Sequence, residues 1–219
     1  MSLTGRPLSL IKTKIGWYRT NLFSYILVFL FFLGGYMKVY VIAGRAKCGK
    51  TTFGKYLREE LKLYGYNPCV MQITSPLYAY AANYFDWDPN CDEKPREFLQ
   101  KMGTDIIKEK LGKKTFLLDR LSEDIEILQE FFDTFIITDA RFPEEIEYFK
   151  EKYENVCPIK LIRNDYDDNL SDDERNHITE TAMDNYEEFS YILENESLDS
   201  LKNTAHYIIK NESSGDSNE

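Results

Sequence analysis

The sequence predicts an α/β fold with a mostly parallel sheet covered by helices on both faces. From Met37 onward, short β-branched and aromatic runs alternate with segments of helical periodicity. A glycine-rich loop joins the first such run to an amphipathic helix. A length of 219 residues at 43% hydrophobic supplies the core that one such domain needs. Crossovers between parallel strands are right-handed, so ligands bind at the carboxyl ends of the strands.

The elements follow in order. Residues 1–36 carry Arg6, Lys12, Lys14 and Arg19 and no acid, ahead of an uncharged run from Leu22 to Met37. Sixteen helical residues span about 24 Å, short of the roughly 30 Å of a hydrocarbon core. Three readings stay open for 1–36: an over-extended start, with the Gly34-Gly35 codons serving as a ribosome-binding run before Met37; a membrane-proximal anchor; or a cryptic signal. Lys38–Ala43 is the first buried strand, Gly44–Gly49 a loop, and Lys50–Tyr64 a helix with Phe53, Leu57, Leu61 and Tyr64 in line. Asn67–Thr74 is the second strand.

A long helical insert follows: Pro76–Phe85, then Pro95–Leu111 with Phe98, Met102 and Ile106 in line, then Phe116–Phe131. Phe135–Thr138 is the third strand, Glu144–Tyr153 a helix, and Cys157–Arg163 the fourth strand. Residues 164–186 are polar and acidic, in the place of a lid. Phe189–Leu193 is the fifth strand and Ser197–Lys210 the closing helix. The tail 211–219 is expected to be disordered.

Charge narrows the function. The chain has 27 basic and 37 acidic residues, net −10, and the four bases of 1–36 leave the remainder more acidic still. Such a body lacks the basic face of a general nucleic-acid binder, so an anionic ligand needs a local basic cluster. Cys48, Cys69, Cys91 and Cys157 form no C-x-x-C pair and no zinc-like grouping with the two histidines; they read as reduced thiols.

Gly44-Arg45-Ala46-Lys47-Cys48-Gly49-Lys50-Thr51 fits G-x-x-x-x-G-K-[ST], with Thr52 following. In this setting, between strand and helix, the loop amides cradle phosphates and the helix amino terminus adds partial positive charge. Lys50 reaches the β- and γ-phosphates and the Thr51 hydroxyl ligates Mg²⁺. No N-K-x-D or L-S-G-G-Q motif occurs, against a GTPase switch or a transporter ATPase. Asp139, at the end of the third strand, stands where a Walker-B carboxylate approaches the magnesium shell, and Arg141 offers a fork to a phosphate. Arg96 and Arg163 are further candidates for clamping an anionic acceptor, and Arg175 and His177 lie in the lid segment. A hydroxyl acceptor needs a base to remove its proton. A phosphomonoester, largely dianionic at neutral pH, needs neutralisation and alignment, which arginines provide.

The segments VYVIAGRAKCGKTTF, SPLYAYAANYFDWD, KPREFLQKMGTDII, FIITDARFPEEIEYF, HITETAMDNY and FSYILENESLDSLKN resemble the phage-type deoxynucleoside monophosphate kinase family. The resemblance covers about residues 37–210. It implies a three-layer P-loop kinase fold, with a five-stranded parallel sheet in the order 2-3-1-4-5 and a helical insert, and transfer of the ATP γ-phosphate to a deoxynucleoside monophosphate. It implies Asp139 and Arg141 near the transferring phosphate, where the motif reading adds Lys50 and the clamp reading Arg163, with Gly44 through Thr52 holding ATP. It implies Arg96, Gln100 and Thr104 in the monophosphate pocket, where Arg141 and His177 are further candidates to hold the acceptor; Thr51 and Asp139 are the expected Mg²⁺ residues. His177, Thr179 and Glu180 match the family's H-x-[ST]-E. Where the family often has lysine after Pro76-Leu77, this chain has Tyr78.

The expected partner is a small nucleoside monophosphate and no nucleic acid, with a membrane only through residues 15–37 and a homodimer as an open assembly. The expected location is the cytoplasm, with membrane association through the N-terminal segment as the alternative. A dephospho-coenzyme A kinase-like enzyme and a membrane-tethered ATP-binding module are the competing functions.

Overall fold

The computed structural model describes residues 37–91, 94–164 and 181–215. The chain divides into two units, Met1–Tyr36 and Met37–Glu219. The N-terminal apolar run, Arg175, His177, Thr179 and Glu180 lie outside the described residues.

Five strands form one sheet: β1 (Lys38–Ala43), β2 (Pro68–Met71), β3 (Thr134–Ala140), β4 (Val156–Ile162) and β5 (Tyr191–Glu194). Their order is β2-β3-β1-β4-β5 and every pairing is parallel, as expected. Successive side chains of a strand point to opposite faces, and both faces of the central strands are covered, which is why their sequences are apolar throughout. Val39, Val41, Phe135 and Ile137 enter one core; Tyr40, Ile42 and Ile136 enter the other.

Helices complete the three layers. α1 (Lys50–Leu63) and α6 (Leu198–Gly215) cover the second core through Phe53, Leu57, Leu61, Leu201, Ala205 and Ile208. The first core takes α2 (Ser75–Tyr84) through Leu77, α4 (Phe116–Leu128) through Leu121 and Ile125, and α5 (Pro143–Lys152) through Ile146 and Phe149.

Three details depart from the sequence expectation. The single helix expected over 95–111 is a short α-helix, α3 (Arg96–Gln100), that continues as a π-helix from Lys101 to Lys110. Closing each turn one residue later widens the inward face: Gly103, Thr104 and Ile107 are buried, and Met102 of the expected line packs half-buried against the first core. β5 starts at Tyr191, because Phe189 packs edge-on against Tyr186 with ring centroids 5.1 Å apart and lies beneath the Lys160 ammonium.

The expected disorder from residue 211 is also corrected, since α6 runs on to Gly215. Glu212 explains the extension. Its carboxylate pairs with Lys38 Nζ at 2.7 Å and accepts a hydrogen bond from the buried Tyr40 hydroxyl. Burial, reinforced by Glu212, pushes the Tyr40 phenol up, so it stays a donor. Burial also pushes the neighbouring Cys157 thiol up to about 12, which makes it unreactive. All four cysteines are free. No helix among the described residues is long and apolar enough to cross a membrane.

Deleting residues 211–219 strips the Tyr40 hydroxyl of its acceptor and Lys38 of its partner. Urea unfolding should show a loss of roughly 1–3 kcal/mol, the cost of an unpaired buried polar group. An unchanged midpoint would mean that the Glu212 contacts carry no weight.

Candidate active site

β1 ends at Ala43, and the chain curls through Gly44–Gly49 before α1 begins at Lys50. Gly44 (φ 146°) and Gly49 (φ 102°) occupy backbone conformations that side chains disfavour. A Cβ on Gly44 would lie 2.3 Å from the Leu161 carbonyl oxygen, and one on Gly49 2.6 Å from Asn195 Nδ2. Glycine at both positions lets the loop press against β4 and the turn after β5. Asn195 Nδ2 pins it there by donating to the Cys48 carbonyl at 2.9 Å. Gly49 offers no side-chain cap, so the first-turn amides of α1 are left to an anion.

Lys50 is only 7% exposed. Its ammonium donates to the carbonyls of Gly44 (2.7 Å) and Arg45 (2.6 Å) and lies 3.7 Å from Cys48 Sγ. Arg141 Nη1 donates to the same Gly44 carbonyl at 3.2 Å, so both cations meet at one loop oxygen. Thr51 is exposed and Thr52 half-buried on the first turn of α1. On the loop itself, Arg45 reaches out to Asp184 at 2.6 Å.

The end of β3 organises the opposite side. Asp139 Oδ1 accepts from the Ile73 amide (2.8 Å), and Oδ2 from the Thr74 amide (3.0 Å) and hydroxyl (2.5 Å). This carboxylate therefore fixes the entry to α2. Two residues on, the Arg141 and Phe142 amides donate to Glu145 Oε2 at 2.8 and 3.2 Å, which starts α5. Glu145 also pairs with Lys108 of the π-helix at 3.0 Å, and the Lys108 ammonium stands 3.7 Å from the centroid of the Phe142 ring. Burial pushes the Glu145 carboxyl up, against the opposing pull of Lys108 and the Arg141 amide.

The charges of Asp139, Arg141 and Arg96 are all felt at Tyr78. Burial raises its phenol first and the Asp139 charge next, while Arg141 and Arg96 pull the other way. Gln100 and Thr104 follow Arg96 at successive four-residue steps, half-buried and buried. Arg163 is exposed just past β4. His177 lies outside the described residues.

Sequence reasoning missed Thr74, Lys108, Glu145, Asn195 and Asp184. Glu145 had a partial signal, an acid two residues after Pro143 at a helix start, but without the Ser, Thr, Asp or Asn that normally completes it.

Among the described residues no three His, Cys, Asp or Glu side chains gather to hold a metal ion. Mg²⁺ needs less, because it binds through one or two protein oxygens and otherwise through phosphate and water. The exposed Thr51 hydroxyl and the Asp139 carboxylate, whose oxygens keep lone pairs beyond their three hydrogen bonds, are hard oxygen donors of that kind.

A family model for deoxynucleotide monophosphate kinase matches residues 90–205. No curated protein matches the chain. Among solved structures, a sugar kinase from Janibacter sp. HTCC2649 is 13% identical, with 80% of this chain and 95% of that one covered and a TM-score of 0.47. The APS kinase of Mycobacterium tuberculosis, solved with AMPPNP and APS, is 11% identical over 79% and 95%, with a TM-score of 0.45. The shikimate kinase of Acinetobacter baumannii, solved with shikimate, is 12% identical over 84% and 97%, at 0.42.

The buried Glu145 carboxyl makes a prediction about pH. Its folded pKa is raised above 4.5, so its stabilising contribution is complete below that value and is lost as pH rises through the raised one. Urea unfolding across a pH series should reveal this loss in the native chain and not in Glu145→Gln. Equal slopes in the two proteins would contradict it.

Proposed function

Because the chain belongs to the deoxynucleotide monophosphate kinase family, we propose that it transfers the γ-phosphate of ATP to a deoxynucleoside monophosphate, giving the diphosphate and ADP. The observation that carries this reading is the meeting of Lys50 and Arg141 at the Gly44 carbonyl. Cations from the glycine loop and the end of β3 thus meet at one point.

In the proposed reaction, the amides of residues 44–52 hold the ATP phosphates at the amino terminus of α1. Lys50 exchanges loop carbonyls for β- and γ-phosphate oxygens. A phosphate oxygen of the acceptor attacks the γ-phosphorus, and the bond from that phosphorus to the β,γ-bridging oxygen breaks. The acceptor enters as a dianion at neutral pH, so no base has to take a proton. Arg141 and Arg163 offset charge on the group in transfer. Arg96, Gln100, Thr104 and His177 hold the acceptor, which supports alignment in place of deprotonation. Thr51 and Asp139 are the residues that would hold Mg²⁺, which supplies neutralisation of the polyphosphate charge when bound.

A coupled ADP-release assay over a panel of nucleoside monophosphates tests the proposal. Turnover should require a monophosphate, and Lys50→Ala should reduce it on the order of a hundredfold or more, with the circular dichroism unchanged. Near-normal turnover in that variant would refute the role of Lys50. Turnover only with other small acceptors, or binding of ATP without transfer, would refute the reaction. Arg96→Ala should raise KM for the monophosphate more than KM for ATP.

A further inference from the structure

The π-helix is tied to the end of β3 at two places. Gly103 faces α2, where an added Cβ would come within 3.0 Å of Leu77 Cδ1, and α2 itself hangs from Asp139 through Thr74. Further along the π-helix, Lys108 reaches the turn that carries Arg141. Its ammonium donates to Glu145 Oε1 at 3.0 Å and stands 3.7 Å from the centroid of the Phe142 ring. Glu145 Oε2 accepts the Arg141 and Phe142 amides at 2.8 and 3.2 Å. One carboxylate thus holds the main chain of Arg141 with one oxygen and the insert with the other.

A helix start alone does not call for this arrangement. A capping acid needs only the amides of its own first turn, whereas the Glu145 side chain is 7% exposed and takes a cation from 37 residues earlier. A buried ion pair gains little stability over an apolar pair of similar volume, because both charges lose water. What it gives is one allowed arrangement. The carboxylate and the Phe142 ring together hold the ammonium, so a single placement of the π-helix satisfies both. Thr104 lies four residues before Lys108 on that helix, and Arg141 four residues before Glu145. The pair therefore links an acceptor-side residue of the insert to the arginine that meets the glycine loop at the Gly44 carbonyl.

We propose that Glu145 and Lys108 are positioning residues that act through Arg141: the pair fixes the insert, which carries the acceptor, relative to the arginine that serves the group in transfer. This rests on the kinase reading above and adds to it two residues that touch neither substrate.

The test uses Lys108→Met, which removes the charge and keeps an unbranched side chain, and the double variant Lys108→Met/Glu145→Gln. The double variant leaves no buried charge unpaired and keeps an oxygen for the two amides. In each, kcat should fall about tenfold with KM for ATP within about twofold, because the glycine loop is untouched. Lys108→Arg, which keeps the charge, should recover most of kcat. The deciding comparison is made in an Arg141→Ala background, where Lys108→Met should change kcat by no more than about twofold. A further loss of the same size there would mark a merely structural role and overturn the proposal. Hydrogen exchange gives a readout independent of turnover: the Arg141 and Phe142 amides should exchange about tenfold faster in Lys108→Met, with the β1 amides unchanged. Unchanged exchange at those two amides overturns the coupling even where kcat falls. Monophosphate-dependent turnover with kcat unaffected by Lys108→Met sinks this inference and leaves the reaction standing. Faster exchange at the turn without phosphorylation of any monophosphate leaves the coupling standing and sinks the reaction.

Discussion

A buried ammonium must be hydrogen-bonded where it sits, and Lys50 meets that demand by drawing the Gly44 and Arg45 carbonyls onto itself. The requirement shapes the loop. Two carbonyl oxygens turn inward, and the chain reverses direction at Gly44 and Gly49, where a Cβ would strike the Leu161 carbonyl or the Asn195 amide group. The amides at the start of α1 are left facing an anion. With a polyanion bound, phosphate oxygens replace the carbonyls in the proposed reaction, so the same charge serves the empty and the filled loop.

The end of β3 and the insert are joined to this loop by specific contacts. Arg141 touches the Gly44 carbonyl, and its own amide is held by Glu145, which Lys108 of the insert neutralises. Asp139 fixes α2 through Thr74. The ends of β1 and β3 thus set where the insert begins and where it returns. A displacement of the π-helix would be felt at Arg141 through the Lys108–Glu145 pair, which is buried on the Glu145 side.

Much of this was legible in the sequence, for identifiable reasons. The apolar runs of β1 and β3 announce strands buried on both faces, and the glycine spacing with Lys50 announces the phosphate loop. The strand order needed the family resemblance, since hydrophobic pattern alone does not order parallel strands. The π-helix was not legible: over ten residues, Gly103, Thr104 and Ile107 fit an α-helical stripe about as well as Met102 and Ile106 do. Glu212 was lost in a polar tail whose composition reads as solvent-facing, because its partners Lys38 and Tyr40 lie far away in sequence. Asp139 was located by its place at a strand end, but its hold on Thr74 depends on the neighbouring strand, which no local motif reports.

In the proposed reaction the loop at residues 44–51 grips the phosphates of an adenine nucleotide. Titration calorimetry of the native chain with ATP and magnesium tests it most directly. One saturable site per chain is predicted, with the heat of binding abolished when Gly49 is replaced by a residue bearing a side chain. No heat of binding at saturating nucleotide, or undiminished binding in that variant, would contradict the account.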